Sequence, residues 1–173
     1  VFILVGLAFK VSAVPFHMWT PDVYQGSPSS VTSFFAIVPK VAALAILIRF
    51  VQIPFEQLMD QWKSILVFMA LASMILGAVA AIGQTNIKRL IAYSSIGHVG
   101  YALAGISTGT VTGYNSSIAY ITIYVIMNLG LFGCIFLMKK EGKYCEDIKE
   151  LAGISKQNPL LAISFLIIMF SLA

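Results

Sequence analysis

Apolar residues occur along this chain in six long stretches separated by short polar segments. The stretches cover roughly residues 1–25, 29–50, 63–83, 87–106 and 117–138, and the last begins at Pro159. A helix needs about 20 mostly apolar residues to cross a bilayer, whereas a strand of a membrane barrel needs about 10. The pattern therefore predicts an all-α fold, a polytopic transmembrane bundle of about six spans or part-spans, in a single domain over residues 1–173.

The first apolar stretch contains a break near residues 13–16. Pro15 has no amide hydrogen to donate, and it disfavours the helical conformation of Val14. The segment after the break, PFHMWTPDVYQG, predicts a short amphipathic helix whose Trp19 and Tyr24 suit a bilayer interface. Non-helical backbone at membrane depth is tolerated only where protein or a water-filled cavity covers it. We therefore predict a discontinuous first helix near Pro15.

Both ends of the sequence have the composition of a span interior. The chain begins with VFILVGLAF and ends with SFLIIMFSLA. We therefore expect it to be an internal part of a larger polytopic protein.

The composition agrees with a bilayer as the solvent, because 59% of the residues are hydrophobic and only 10% are charged. Soluble domains average about 45–50% apolar and about 25% charged residues. The net charge of +4 comes from basic residues between the spans, which indicates membrane topology rather than nucleic-acid binding. The basic residues after the first, third and fifth spans are Lys88, Arg89, Lys139, Lys140, Lys143, Lys149 and Lys156, and those on the other side are Arg49 and Lys63. This asymmetry predicts that the first group faces the cytoplasm or the mitochondrial matrix.

Lys40 stands near the middle of the second span, 11 residues after Ser29 and so roughly 16 Å from that end of the helix. A lysine side chain can hardly reach the interface from that depth. Ionisable residues inside a membrane cost about 2.5–3.5 kcal/mol to insert at the helix centre and often mark ion or proton routes. The sequence leaves open the alternative that Lys40 is a structural residue paired with a carboxylate on a neighbouring span.

Lys10 precedes the break in the first span and has no acidic residue within ten positions. The same insertion cost makes it a candidate proton carrier. Alternatively, its ammonium group caps the carbonyl groups that Pro15 leaves without partners. The two roles are compatible.

His98 lies in the middle of the fourth span, in AYSSIGHVGYALAG. Ser94, His98 and Tyr101 are spaced i, i+4 and i+7, so they share one helix face. A histidine can relay protons near neutral pH. The alternative, slightly favoured by the pattern alone, is a packing contact on a helix whose glycines allow a close neighbour.

No motif of redox, nucleotide or metal chemistry is present in the sequence. Cys134 and Cys145 do not form a CxxC or Cys/His spacing, and the chain contains no GxGxxG and no haem-attachment motif. The candidate chemistry is therefore the movement of protons or cations.

Three segments, GLAFK, PFHMWTPDVYQGSP and TNIKRLIAYSSIGHVGY, resemble the antiporter-like membrane subunits of respiratory complex I. Within that group they are most similar to the subunit N family, called NADH dehydrogenase subunit 2 in mitochondria. The loop sequence DIKELAGISKQNP also looks like that family, and the resemblance covers essentially all 173 residues.

The resemblance implies a subunit of usually fourteen spans with two inverted five-helix repeats, each containing one discontinuous helix. It implies that Lys10 lies on the first discontinuous helix and that Lys40 is the central lysine of the next helix, both on a polar axis that carries protons. By the same resemblance, a glutamate partner of Lys10 lies upstream of Val1 and a further lysine follows Ala173.

It further implies that this chain holds no cofactor and that NADH, FMN, iron–sulfur clusters and quinone belong to the rest of the parent complex. The expected partners are the other membrane-arm subunits and the lipid bilayer of a bacterial or mitochondrial inner membrane, and no nucleic acid.

We therefore predict a proton-translocating subunit of NADH:quinone oxidoreductase, a translocase in which Lys10, Lys40 and His98 transfer protons. Two alternatives remain open. The first is a cation/proton antiporter subunit of the related multisubunit type, and the second is a structural subunit that seals the membrane arm without conducting.

Overall fold

The computed structural model describes the backbone of residues 2–140 and 143–172, and the side chains of residues 2–138 and 144–172. Eight α-helices make up most of it: α1 Phe2–Val11, α2 Trp19–Gly26, α3 Ser29–Gln52, α4 Met59–Ile82, α5 Ile87–Ser107, α6 Val111–Leu137, α7 Ile154–Gln157 and α8 Pro159–Leu172. Short 3₁₀ turns occupy Glu56–Leu58 and Ile148–Leu151, and Lys139–Lys140 pairs with Lys143–Tyr144 in a two-residue antiparallel hairpin. The all-α fold class is confirmed.

Three helices in the described part of the chain are long and apolar enough to cross a membrane by length and composition: α3, α4 with its preceding 3₁₀ turn, and α6. Helices α1 and α8 are shorter apolar helices. The predicted fourth span, α5, is a continuous helix of 21 residues but carries charged and polar positions. On the outer face of α4, large side chains at Phe68, Leu71, Ile75, Val79 and Ile82 remain exposed. A stripe of this kind is expected where lipid or a neighbouring subunit replaces water.

Two helices begin earlier than the sequence pattern predicts. Helix α4 begins at Met59 rather than near residue 63. Helix α6 begins at Val111 rather than at residue 117, because the Thr110 hydroxyl accepts a hydrogen bond from the Gly113 amide and caps a polar first turn. Because this first turn is polar, the spacing of apolar residues in the sequence does not predict it.

At the α4–α5 turn, the Asn86 side chain accepts hydrogen bonds from the amides of Lys88 and Arg89 and caps α5. The long loop after α6 contains the 3₁₀ turn Ile148–Leu151, which Asp147 caps by accepting a hydrogen bond from the Lys149 amide.

Helices α4 and α5 pack at very short range. A Cβ atom added to Gly77 would lie 2.6 Å from the Gly97 backbone nitrogen, and one added to Gly100 would lie 2.8 Å from the Ala70 carbonyl oxygen. Small residues permit such close packing. The predicted role of the α5 glycines in close helix packing is confirmed.

Two apolar clusters hold the helices together. One joins α1, α3, α4 and α5 through buried residues such as Val11, Leu47, Leu66 and Ile106. The other joins α2, α3, α5 and α6 around Tyr24, Ala36, Ile91 and Phe132.

The end of α2, the beginning of α5 and the loop after α6 meet at one end of the bundle, where Lys88 contacts Ser27 and Glu146. The structure thus brings together three segments that the basic residues assigned to one side of the membrane. The side chains of Lys139, Lys140 and Lys143 lie outside the described ones, so their part of that prediction stays a prediction.

Candidate functional site

The predicted discontinuity of the first helix is present in the structure. Helix α1 ends at Val11, and Ser12 takes the left-handed conformation with φ of 67°. The Val14 amide, freed from the helix, donates to the Ser73 hydroxyl of α4 at 2.9 Å. The Thr20 hydroxyl donates to the Ser12 hydroxyl at 2.6 Å, and both residues are fully buried. Side-chain hydroxyls therefore satisfy part of the backbone at the break.

Lys10 lies on the exposed side of α1 and makes no hydrogen bond or ion pair with the described residues. The carbonyl groups near it have other donors: the Trp19 indole donates to Phe9 at 3.0 Å, and the Ala13 amide donates to Ala8 at 2.9 Å. Lys10 donates to none of the described carbonyl groups, so the capping role finds no support among the described contacts, and its side chain lies on the exposed face of α1.

Lys40 is buried inside the bundle, with only 2% of its surface exposed. Its Nζ donates to the Ser95 hydroxyl of α5 at 2.6 Å and lies 5.6 Å from the centre of the Tyr24 ring of α2. No carboxylate pairs with it among the described side chains. The expectation that a structural Lys40 would have a carboxylate partner therefore finds no support in this part of the chain.

The groups around the Lys40 ammonium are polar but uncharged. The Ser95 hydroxyl accepts from Lys40 and donates to the Ala92 carbonyl at 2.7 Å, so it is held in one orientation. The Tyr24 hydroxyl is buried and has no hydrogen-bond partner among the described residues. Buried polar groups of this kind usually bind water when there is room.

His98 is one helical turn beyond Ser95 on α5, and aromatic side chains surround it. Its Nδ1 lies 2.6 Å from the Tyr120 hydroxyl of α6, and its ring centre is 5.2 Å from that of Tyr124. Which atom donates depends on the histidine tautomer. The predicted companion Tyr101 is 55% exposed, with a ring centre 6.4 Å from that of His98.

Two cavities adjoin these residues. A void of about 10 Å³ is bordered by Lys40, His98, Tyr120 and Tyr124, among others. A larger cavity of about 280 Å³ adjoins His98, Ser95 and Tyr124 and extends between α4, α5, α6 and α8. A single water needs at least about 10–15 Å³. The small void is therefore of the order of one water, and the larger cavity has room for several.

The structure thus brings Lys40 and His98 to one void but does not join Lys10 to either of them through a described contact. Sequence reasoning did not identify Tyr24, Ser95 and Tyr120 as part of this site. It expected Tyr24 at a bilayer interface, whereas the structure buries that side chain completely inside the bundle. Ser95 is adjacent to the predicted Ser94, and the helical repeat alone does not distinguish which of two neighbouring serines faces Lys40. Tyr120 lies on a different helix, and nothing in its local sequence indicates that it meets His98.

Lys88, one of the basic residues between the predicted spans, is a second buried lysine. Its side chain is 3% exposed and forms an ion pair with Glu146, and its Nζ donates to the Ser27 carbonyl at 2.9 Å. Its neighbour Arg89 forms a more exposed ion pair with Asp22. Unlike Lys40, Lys88 therefore has a charged partner.

Comparison with known proteins relates the whole chain to one group of membrane proteins. Residues 1–173 match the family described as NADH:quinone oxidoreductase/Mrp antiporter, transmembrane region. NADH-quinone oxidoreductase subunit N of Pelagibacter ubique is 64% identical over 173 residues, which are 100% of this chain and 37% of that protein. The chain therefore spans about a third of the length of such relatives.

Solved structures show the same fold. A chain of respiratory complex I from Thermus thermophilus with bound aureothin superposes with a TM-score of 0.78 at 38% identity, covering 98% of this chain and 36% of that one. A chain of the Mrp complex from Dietzia sp. superposes with a TM-score of 0.88 at 25% identity, covering 98% of this chain and 31% of that one. The chain belongs to the NADH:quinone oxidoreductase/Mrp antiporter transmembrane family.

Proposed function

We propose that the protein containing this chain is a proton-translocating membrane subunit of an NADH:quinone oxidoreductase, and that Lys40 carries protons within it. One observation supports the proposal most strongly. The Lys40 ammonium is 2% exposed, has no carboxylate partner among the described side chains, and is held by a single hydroxyl at 2.6 Å. Burying a charge without a counter-ion is energetically unfavourable, so such a residue usually has a functional role.

Lys40 is suited to gaining and losing a proton because its surroundings are only polar. A fixed carboxylate at contact distance would keep the ammonium permanently charged. The Ser95 hydroxyl and the Tyr24 ring stabilise the ammonium more weakly and can also accommodate the neutral amine. The charge of Lys40 can then respond to charges that appear elsewhere in the membrane arm.

His98 and Tyr120 are the proposed next carriers. Lys40 and His98 border the same void, and one water there would join the amine to the imidazole ring. The 2.6 Å contact between His98 Nδ1 and the Tyr120 hydroxyl then provides a second exchange partner. The 280 Å³ cavity beyond His98 offers room for a water chain between α5 and α6.

Lys10 is the proposed entry to this route from the broken helix. Lys10 is exposed and forms no ion pair with the described side chains, so its ammonium group is accessible from outside the described part of the bundle. The break beside it frees backbone that water or neighbouring helices can contact. We also propose that residues 1–173 act as one transmembrane domain.

The relatives and the resemblance together support a bacterial inner membrane as the location, or its mitochondrial equivalent, with the other membrane-arm subunits of complex I as partners. This chain would hold no cofactor, and NADH, FMN, iron–sulfur clusters and quinone would act elsewhere in the complex. The Thermus thermophilus structure named above is a complex I assembly.

The similarity to the Mrp complex favours a second candidate, a cation/proton antiporter subunit. That function predicts sodium- or potassium-dependent transport that needs neither NADH nor quinone. A purely structural subunit predicts normal pumping after neutralisation of either lysine, with impaired assembly. The long segment PFHMWTPDVYQGSP favours the oxidoreductase.

The test is proton pumping by proteoliposomes that contain the parent complex with Lys40→Met, together with measurements of assembly and quinone reduction. We expect an assembled complex in which pumping and coupled quinone reduction both collapse, because methionine fills a similar volume but cannot take up a proton. Normal pumping by the assembled variant would show that Lys40 is not a carrier. Cation-dependent transport without NADH would favour the antiporter.

A further inference from the structure

We propose that Glu146, through its ion pair with Lys88, is a positioning residue that holds α2 against α5 and so keeps the Tyr24 ring and the Ser95 hydroxyl in place around Lys40. The inference rests on the proposed function of Lys40 and adds to it a residue from the loop after α6. Glu146 itself touches none of the proton-carrying groups described above.

The environment of Lys40 depends on the spacing of two helices. Tyr24 belongs to α2 and Ser95 belongs to α5, while Lys40 itself lies on α3. Helices α2 and α5 pack against each other. A change of about 1 Å in that packing would alter the distances around the ammonium, and displacements of that size can cost about a hundredfold in rate.

Lys88 is the buried link between these two helices. Its Nζ donates to the Ser27 carbonyl at 2.9 Å, at the carboxyl end of α2, where a cation is favourable for the helix dipole. Ser27 is three residues after Tyr24, and Lys88 is seven residues before Ser95, about 10 Å along α5. The link therefore lies close to both groups that contact Lys40.

The Glu146 carboxylate stabilises this link because it neutralises the charge of the buried Lys88 ammonium. The Lys88 side chain is 3% exposed, whereas that of Glu146 is 41% exposed and open to water. The nearby pair of Arg89 and Asp22 also joins α5 to α2, but its side chains are 32% and 74% exposed, and exposed ion pairs contribute little. Removing the carboxylate would leave Lys88 as an uncompensated buried cation, which is strongly unfavourable.

The backbone holds Glu146 at this position independently of its side chain. The Ile87 amide donates to the Glu146 carbonyl and the Ile148 amide donates to the Thr85 carbonyl, both at 2.9 Å. Asn86 and Asp147 form an antiparallel bridge between these contacts. The segment is thus attached to the beginning of α5 by main-chain hydrogen bonds, so a side-chain substitution at 146 can change the charge without releasing the segment.

The test uses the parent complex with Glu146→Gln, which keeps the side-chain shape and removes the charge. We expect amide hydrogen exchange in residues 19–26 to become about tenfold faster, because α2 loses its buried link. We also expect NADH:quinone turnover per assembled complex to fall about tenfold. Glu150→Gln is the matched control, since Glu150 is exposed in the same loop and forms no ion pair with the described residues.

Glu146→Asp provides a second test if the glutamine variant does not assemble. It retains the carboxylate on a shorter side chain, and we expect intermediate values of both exchange and turnover. A purely structural role would lower the amount of complex but leave turnover per assembled complex unchanged. Exchange in α2 like that of the unmodified protein, or unchanged turnover despite faster exchange, would overturn the inference.

Including Lys40→Met in the same series separates this inference from the function on which it rests. Normal pumping by Lys40→Met would remove the proposed function, while exchange in α2 of Glu146→Gln would still decide whether the ion pair holds α2. Loss of pumping in Lys40→Met together with normal turnover in Glu146→Gln would overturn the positioning role alone.

Discussion

Replacing Ser95 by alanine tests how much the single hydroxyl beside Lys40 contributes to transport. The substitution removes the acceptor that lies 2.6 Å from the Lys40 Nζ and adds no volume. Ser95 is 1% exposed, so bulk water does not directly replace the lost hydroxyl. The only other described group that stabilises the ammonium is then the Tyr24 ring, at 5.6 Å.

The expected magnitude follows from the energy of a charged hydrogen bond. Hydrogen bonds to charged groups contribute about 1.5–3 kcal/mol, and each 1.4 kcal/mol changes a rate about tenfold. If every turnover passes through protonated Lys40, the alanine variant should pump about ten to a hundred times more slowly. A water that enters the adjoining 280 Å³ cavity and replaces the hydroxyl would bring the loss toward the lower figure.

The assay is initial proton uptake by proteoliposomes, normalised to assembled complex and measured beside two companion variants. Ser94→Ala removes the neighbouring hydroxyl, which borders the same large cavity but makes no described contact with Lys40. Ser95→Thr keeps a hydroxyl at the position. We expect near-normal rates for both. Equal rates for Ser95→Ala and Ser94→Ala would refute the reasoning, because the hydrogen bond to Lys40 would then have no part in transport.

Two further substitutions test the neighbouring groups. Tyr120→Phe removes the hydroxyl 2.6 Å from His98 Nδ1 and should slow turnover about two- to tenfold, the effect of an uncharged hydrogen bond. Tyr101→Phe is its control, and equal rates for the two would exclude Tyr120 as a partner in transfer. Gly77→Ala places a methyl group 2.6 Å from the backbone of α5, so we expect net destabilisation of about 1–2 kcal/mol in thermal unfolding of the purified complex, after a helix-propensity gain of about 1 kcal/mol. Gly133→Ala, where the added Cβ meets nothing within 4 Å, should be neutral or stabilising, and equal stability of the two variants would contradict the packing argument.

The helices and the break were predictable from the sequence because each leaves a local signal. Apolar stretches of about 20 residues gave α3, α4 and α6, and Pro15 marked the discontinuity that the structure places after Val11. The signal failed where polar side chains cap a helix. Thr110 begins α6 within a Ser/Thr-rich segment whose composition resembles a loop.

The partners of the buried residues were not predictable, because they come from distant parts of the chain. Ser95 lies 55 positions from Lys40 and contacts it only once α3 and α5 pack. Tyr120 meets His98 across the α5–α6 interface, at a separation of 22 positions. The position of a residue within an apolar stretch indicates its depth in the membrane. Which side chain it contacts depends on how each helix is rotated about its axis. The spacing of apolar residues along the sequence does not distinguish the rotations that would bring Ser94 or Ser95 to Lys40.

Lys40 and Lys88 are equally buried, but they differ in whether a carboxylate lies beside the ammonium group, and this difference determines how each responds to a nearby charge. Lys40 and Lys88 are each 2% exposed, yet only Lys88 has a carboxylate among the described residues. A unit charge that moves to about 8 Å from Lys40 would change its energy by about 2 kcal/mol at an effective dielectric constant of about 20. The same charge near Lys88 would act on the ammonium and on Glu146 with opposite sign, so most of its effect would cancel. Lys88 is therefore suited to hold helices in place, and Lys40 is suited to respond to a moving charge.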